Sequence, residues 1–325
     1  MCKQDQHKCL IIQPIHEAGI ACLEKAGIEP VLCPDADLAT VLANIPECTA
    51  VITRDAGLSG DAMRAAPLLR AVSVHGAGYD PVDLKQAKAM AITVCTTPGT
   101  NTQSVVELTL ALTFAVARRV PAADRAFRLG QSGFRERHTF SELQGKTAFV
   151  IGWGNIGQRV GAILRDAFGM KLIVLTRSNR TIQGADCIET LEDGFRQADL
   201  ITLHTPLSDQ TRAMIGAQSL SCAKPGAIII NTARAGLIDE GALAQALHDG
   251  RLAGAGLDLC SPEGVSLFAE LEQVVLTPHL GGTTEDALRR TALAAADNVI
   301  YVLTGQNPTS VVEFQSGTET IRKSL

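Results

Sequence analysis

Eleven consecutive residues, Thr147-Ala148-Phe149-Val150-Ile151-Gly152-Trp153-Gly154-Asn155-Ile156-Gly157, constrain the fold of this chain more than any other stretch. The apolar run Ala148 to Ile151 reads as a buried strand, and it leads directly into Gly-x-Gly-x-x-Gly. From Asn155 to about Phe168, the apolar residues Ile156, Val160, Ile163, Leu164 and Phe168 recur on one helical face. Strand, tight turn and helix in that order are the opening of a dinucleotide-binding unit. Gly152 is suited to the turn, Gly154 to close approach of a pyrophosphate, and Gly157 to close packing of helix on strand. Asn155 and Ile156 begin the helix, whose N-terminal N–H groups and positive dipole end face the phosphates. Three glycines alone also fit a purely structural turn. The strand before them and the helix after them favour nucleotide binding.

The next strand, Leu172 to Leu175, bears on the cofactor. Units that bind NAD end this strand with an acid for the ribose hydroxyls. Here it ends in Leu175-Thr176-Arg177-Ser178-Asn179-Arg180, with two guanidiniums and two hydroxyls and no carboxylate. An Arg fork matches a 2′-phosphate, so NADP is expected over NAD, with solvated loop charges as the plain alternative for Arg177 and Arg180.

A chain of 325 residues holds one to three domains. Repeated strand–helix alternation across it predicts α/β architecture with parallel sheets. Strand candidates in the first hundred residues are 9–12, 30–32, 50–53, 71–74 and 93–95. They carry no three-glycine fingerprint, so a second, doubly wound sheet separate from the nucleotide binder is expected. Pro98-Gly99 punctuates the chain. A long helix from Gln103 to Arg119, apolar on most sides, reads as packing between domains or at a subunit contact, and 130–145 reads as a loop with a short helix. Strands at 200–204, 227–231, 254–257 and 274–276 continue the second sheet, and a final helix from Thr284 to Leu303 returns to the first domain. The expected division is 1–99 with 285–325 as a discontinuous domain, and 100–284 as the nucleotide domain.

Composition excludes several classes of function. A net charge of −5 argues against nonspecific nucleic-acid binding, and no apolar run is long enough for a membrane span. Nine scattered cysteines with no C-x-x-C suggest reduced thiols in a cytoplasm, with neither a disulfide frame nor a metal site. The start shows no leader pattern, and the closing Lys323-Ser324-Leu325 has the residues of a peroxisomal tripeptide in the wrong order.

Polar clusters stand where strands of the second sheet end, the edge at which open parallel sheets bind ligands. They are His204-Thr205-Pro206, Asn231-Thr232-Ala233-Arg234, Asp258 with Glu263 five residues on, and Thr277-Pro278-His279-Leu280-Gly281-Gly282. Taken singly, His279 is a satisfied loop residue, Arg234 a surface ion pair and Glu263 a solvated loop charge. Together on one edge they supply what reduction of a 2-keto acid needs. Arg binds a carboxylate with a fork that never deprotonates. His gives a proton to the keto oxygen. A Glu bonded to the other imidazole nitrogen orients the ring and holds it protonated. His204 reads as structural or nucleotide-adjacent.

With these motifs in place, the sequence resembles the D-isomer-specific 2-hydroxyacid dehydrogenase family from Val51 to about Arg290. The resemblance implies a Rossmann-type nucleotide domain inserted into a flavodoxin-like one, and a homodimer. It implies Arg234, Glu263 and His279 as the catalytic set. Asp258 would lie at the nicotinamide amide, and Thr205 and Pro206 on the adenosine side. Ser104 would lie near the nicotinamide ribose, with Thr232, Ala233 and Gly281 also on the cofactor. Backbone N–H groups of Val74-His75-Gly76-Ala77-Gly78 would hold the substrate carboxylate. Arg54 matches the position where phosphoglycerate enzymes of the family bind substrate. The chain departs from the family pattern at Ala235, where Gly usually follows the Arg, at Gly264, where Pro often follows the Glu, and at His75. The expected activity is NADP-linked reduction of hydroxypyruvate or glyoxylate to the (R)-hydroxy acid. The alternatives are an NAD-linked 3-phosphoglycerate dehydrogenase and, from another class, a nucleotide-sensing corepressor.

Overall fold

Strand-forming runs that are apolar at every position can be satisfied only by a sheet covered on both faces, and the chain builds two such sheets. A computed structural model describes residues 7–177 and 181–313, and the backbone of Thr320–Ile321. Two units result, one of residues 1–101 with 282–325 and one of 102–281.

The first unit runs β1 (Lys8–Ile11), α1 (Glu17–Lys25), β2 (Glu29–Leu32), α2 (Leu38–Asn44), β3 (Ala50–Thr53), α3 (Gly60–Arg64), β4 (Ala71–Val74), α4 (Leu84–Ala89) and β5 (Thr93–Cys95). All pairings are parallel, in the order β2-β1-β3-β4-β5. Side-chain alternation sorts the core to two faces. Leu10, Val51 and Val72 pack with Met63 and Val41 on one face. Cys9, Ile11, Ala50, Ile52 and Ala71 pack on the other with Leu23, Ala295, Ala296 and Val299. Asp37, Ser59 and Asp83 cap α2, α3 and α4 through their side chains.

The second unit runs α5 (Thr102–Ala117), α6 (Val120–Arg128), α7 (Phe134–Arg137), β6 (Thr147–Ile151), α8 (Asn155–Phe168), β7 (Lys171–Leu175), β8 (Asp186–Cys187), α9 (Leu191–Gln197), β9 (Leu200–Leu203), α10 (Ala217–Ser221), β10 (Ala227–Asn231), α11 (Glu240–His248), β11 (Leu252–Leu257), α12 (Pro262–Phe268) and β12 (Val274–Leu276). Its seven parallel strands take the order β12-β11-β10-β9-β6-β7-β8. The order reverses between β6 and β9, the switch point at which such sheets bind ligands. The chain then closes the first unit with α13 (Glu285–Leu303), capped by the Thr284 side chain.

Several elements depart from expectation. α6, which is amphipathic, continues beyond the helix end expected at Arg119, and α10 and β8 are too short for a regular apolar spacing to announce them. Within its own unit α5 packs on β10, β11, β12 and α8; it exposes Phe114 (36%), and larger exposed apolar side chains sit on and just after α6: Val120 (54%), Phe127 (87%) and Leu129 (66%). The segment expected to be a loop around Glu263 is the first turn of α12, capped by Ser261 with Pro262 as its first residue.

Candidate active site

The glycine turn follows β6. Gly152 has φ +95°, and a Cβ there would lie 2.5 Å from the His204 carbonyl oxygen and 2.9 Å from Thr205 N, so the end of β9 presses directly on the turn. A Cβ on Gly157 would overlap the Gly152 carbonyl oxygen, whereas one on Gly154 would meet nothing within 4 Å. The turn is therefore closed on the sheet side and open above Gly154. α8 begins there with Asn155 and Ile156 and no side-chain cap, so its first N–H groups are available to an anion. Ser104, buried on α5, has a hydroxyl with no hydrogen-bond partner among the described residues. An open glycine cradle, an uncapped helix start and an orphaned hydroxyl in one unit fit a bound dinucleotide.

Past β7, Thr176 is half-buried and Arg177 is exposed. Ser178 and Arg180 lie outside the described residues. His204 is held by its backbone N–H to the Ile151 carbonyl at 2.7 Å and through Nε2 to Thr202 Oγ1 at 2.9 Å. Burial pushes its pKa down to about 3, so its ring is neutral. Pro206 is exposed, and its carbonyl accepts from Thr211 Oγ1 at 2.8 Å.

Three neighbouring strands carry the ionisable residues. After β10, the buried Asn231 forms the turn that presents Arg234: its Oδ1 accepts from Ala233 N at 3.0 Å, and its Nδ2 donates to the Arg234 carbonyl at 2.8 Å. Arg234 Nη1 donates to the Ala233 carbonyl at 2.8 Å, and Thr232 Oγ1 lies 2.8 Å from Thr109 Oγ1 of α5. After β11, Asp258 is completely buried. Its N–H donates to the Asn231 carbonyl at 2.9 Å. After β12, His279 adopts φ +56°, a left-handed backbone uncommon outside glycine.

Asp258 holds that backbone in place. Its Oδ1 accepts from Thr277 Oγ1 at 2.6 Å and from Leu280 N at 2.7 Å, while Oδ2 accepts from Gly281 N at 2.8 Å. Its carbonyl accepts from His279 N at 2.8 Å. The carboxylate expected at a nicotinamide amide is thus first of all a bracket for the His279 turn. One chain of hydrogen bonds runs from the Arg234 turn through Asn231 and Asp258 to His279, bringing two of the three expected catalytic residues into a single framework.

Glu263 stands apart from that framework. It is exposed in the first turn of α12, and its carboxylate makes no hydrogen bond or ion pair among the described residues. The expected bond to the imidazole is not formed here; Glu263 lies in the first turn of α12 with its side chain exposed.

In the first unit, Gln13 Oε1 accepts from Arg54 N at 3.1 Å and Ala56 N at 2.9 Å, and Arg54 Nη1 donates to the Pro14 carbonyl at 3.0 Å. The loop after β4 uses two of its N–H groups internally, His75 N to the Thr53 carbonyl and Gly76 N to the Val74 carbonyl. Among the described residues, Ala77 and Gly78 have no backbone partner for theirs. This narrows the expected anion-holding stretch from five residues to two. His75 Nε2 is buried without a partner among the described residues; burial, and then the nearby Arg54 charge, push this ring's pKa down to about 4. Gln13, which holds the Arg54 loop, carries no sequence signal for that role, because it follows a strand in an aperiodic stretch.

Among the described residues no helix is long and apolar enough to cross a membrane. Residues 110–281 match the family model described as D-isomer specific 2-hydroxyacid dehydrogenase, NAD binding domain. The chain is 35% identical over 321 residues to the glyoxylate reductase of Thermococcus litoralis, covering 94% of this chain and 96% of that one. It is 34% identical over 312 residues to the D-3-phosphoglycerate dehydrogenase of Methanocaldococcus jannaschii, covering 94% of this chain but 59% of that relative's length. Among solved structures it resembles the NADPH-dependent glyoxylate/hydroxypyruvate reductase of Sinorhizobium meliloti in complex with NADP and malonate, with TM-score 0.84 and 27% identity over 94% of this chain and 97% of that one. On the family model and these identities, the chain belongs to the D-isomer specific 2-hydroxyacid dehydrogenase family.

Proposed function

We propose that this chain is an NADP-linked reductase of a small 2-keto acid, hydroxypyruvate or glyoxylate, forming the (R)-2-hydroxy acid from the former and achiral glycolate from the latter. The observation that carries the reading is the framework joining the Arg234 turn to the His279 turn through Asn231 and Asp258. When bound, the nicotinamide supplies the hydride. Arg234 pairs with the substrate carboxylate, and His279 gives its proton to the keto oxygen as charge develops there. Glu263 acts once its carboxylate turns toward the imidazole. Gly154, the first N–H groups of α8 and the Ser104 hydroxyl hold the dinucleotide, and Arg177 with Arg180 favours a 2′-phosphate. In the first unit, the N–H groups of Ala77 and Gly78 suit an anionic group.

The test is turnover with a panel of 2-keto acids and both reduced cofactors. Consumption of NADPH that needs hydroxypyruvate or glyoxylate supports the reading, and no turnover across the panel overturns it. Arg177→Asp with Arg180→Ala should shift preference toward NADH, and an unmoved ratio removes the basis for NADP. A second reading, an NAD-linked 3-phosphoglycerate dehydrogenase, is favoured by Arg54, just after the central strand β3 of the first sheet, and by the relative of that name. It predicts oxidation of 3-phosphoglycerate with NAD. A corepressor role predicts nucleotide binding without turnover. A homodimer in the cytoplasm is part of the proposal. The exposed Val120, Phe127 and Leu129 offer a surface for a second copy, and sedimentation at micromolar concentration tests it.

A further inference from the structure

Glu240, the first residue of α11, places its carboxylate on the start of a different helix. Its Oε1 accepts from Ser261 N at 2.9 Å, and its Oε2 accepts the Ser261 hydroxyl in a short contact. Ser261 Oγ in turn accepts from Gly264 N at 2.9 Å and caps α12. The serine hydroxyl thus donates once and accepts once, and the Gly264 N–H closes the relay. Glu263 lies inside it, between the cap and Gly264.

Gly264 is buried, and it is the residue that makes room. A Cβ there would overlap Glu240 Oε2 and lie 2.6 Å from Cys260 Sγ. Any side chain would push the carboxylate off Ser261, and a proline would also remove the N–H that Ser261 caps. Cys260 reports on the same contact. Burial, the Glu240 charge and a hydrogen bond to it push this thiol up to about 12, so it is protonated and unreactive while Glu240 stays in place.

We propose that Glu240 is a positioning residue, latching Ser261 to fix the first turn of α12 and with it the place of the Glu263 carboxylate, and that Gly264 is glycine because the latch occupies its side-chain space. The proposal rests on the reading of Glu263 as partner of His279. It assigns to Glu240, Ser261 and Gly264 a task in the reaction although none of them touches substrate.

Two readouts on the full chain test it, one independent of turnover. The first is peptide-resolved alkylation of Cys260 by iodoacetamide, with the exposed Cys187 as internal reference. Glu240→Ala and Gly264→Ala should each speed Cys260 labelling about fivefold or more, because thiolate fraction and access both rise, with Cys187 unchanged. Unchanged Cys260 labelling in both variants overturns the latch. The second is keto-acid kinetics. Glu240→Ala and Ser261→Ala should lower kcat about tenfold or more, on the scale of a misplaced proton-transfer partner, with the KM for cofactor unmoved. Ser261→Thr, which keeps both the N–H and the hydroxyl, should retain most of the rate. In a Glu263→Gln background, Glu240→Ala should cost nothing further in kcat, because the group it positions is already gone. Losses that multiply would show that Glu240 supports the fold and not Glu263, and would overturn the proposal. If the unaltered protein turned over no keto acid while Cys260 still responded to Glu240→Ala, the dehydrogenase reading would fall and the latch would stand.

Discussion

Replacing Asp258 by asparagine changes one oxygen for an NH₂ at a site with no exposed surface, and its cost follows from the bonds described. The carboxylate accepts three, from Thr277 Oγ1, Leu280 N and Gly281 N. An amide keeps one acceptor. If it serves Thr277 and Leu280, the NH₂ faces the Gly281 N–H, donor against donor, leaving that N–H buried and unpaired at a cost of about 1–3 kcal/mol. Each of the two surviving bonds loses its charge assistance, about 1 kcal/mol apiece. The sum is roughly 3–5 kcal/mol. Thr277→Val, which removes a single hydroxyl and leaves both backbone N–H groups their acceptors, should cost about 1–2 kcal/mol. The assay is urea unfolding followed by tryptophan emission. The chain has one tryptophan, Trp153, and it lies in the glycine turn of the second unit, so the signal follows that unit. At a slope near 2 kcal/mol per molar, the Asp258→Asn midpoint should fall by roughly 2 M. A fall below about 0.5 M, or a Thr277→Val loss as large as that of Asp258→Asn, would refute the bracket.

Other outcomes are specific enough to measure. Gly157→Ala forces α8 off the glycine turn, an overpacking cost of about 1–3 kcal/mol. NADPH affinity, followed by Trp153 emission, should fall about tenfold or more, and unchanged affinity would deny that this helix seats the pyrophosphate. Arg234→Ala should lower keto-acid kcat/KM by about a hundredfold or more, matching roughly 2–5 kcal/mol for a buried charge left without its partner. Equal efficiency would remove Arg234 from substrate binding. His204 has its pKa depressed to about 3, so the unfolded chain binds the extra proton. Stability from this group is therefore complete above the unfolded value near 6.5 and declines as pH falls toward 3, by about 1.4 kcal/mol per pH unit. Between pH 7.5 and 5.5 the second unit should lose about 1–2 kcal/mol, and His204→Gln should lose less by that amount. An equal loss in the variant contradicts a neutral buried ring.

Much of the architecture is legible in the chain because fully buried parallel strands are short, unbroken apolar runs. Ala50–Thr53, Ala71–Val74, Leu200–Leu203 and Ala227–Asn231 stand out for that reason, as does α8 for its sustained helical period. Weak elements are not legible. α10 spans five residues and β8 two, too short for periodicity to register. α12 did carry a start signal, Ser261-Pro262-Glu263, a capping serine followed by proline and an acid. Reading Glu263 as a loop charge overlooked it.

Sequence alone determined the glycine turn, because its requirements are local. A strand end, a positive φ at Gly152 and a helix start fall within eleven residues, and backbone sterics admit few other residues there. It also determined which residue types stand after β10, β11 and β12. Only the tertiary structure decided what they do to one another. Asp258 and the segment 277–281 are about twenty residues apart, and they meet because β10, β11 and β12 pair side by side. Glu240 and Ser261 meet because α11 and α12 lie together. Such contacts depend on strand order and helix packing, which arise from interactions between remote segments and leave no mark on the residues beside them.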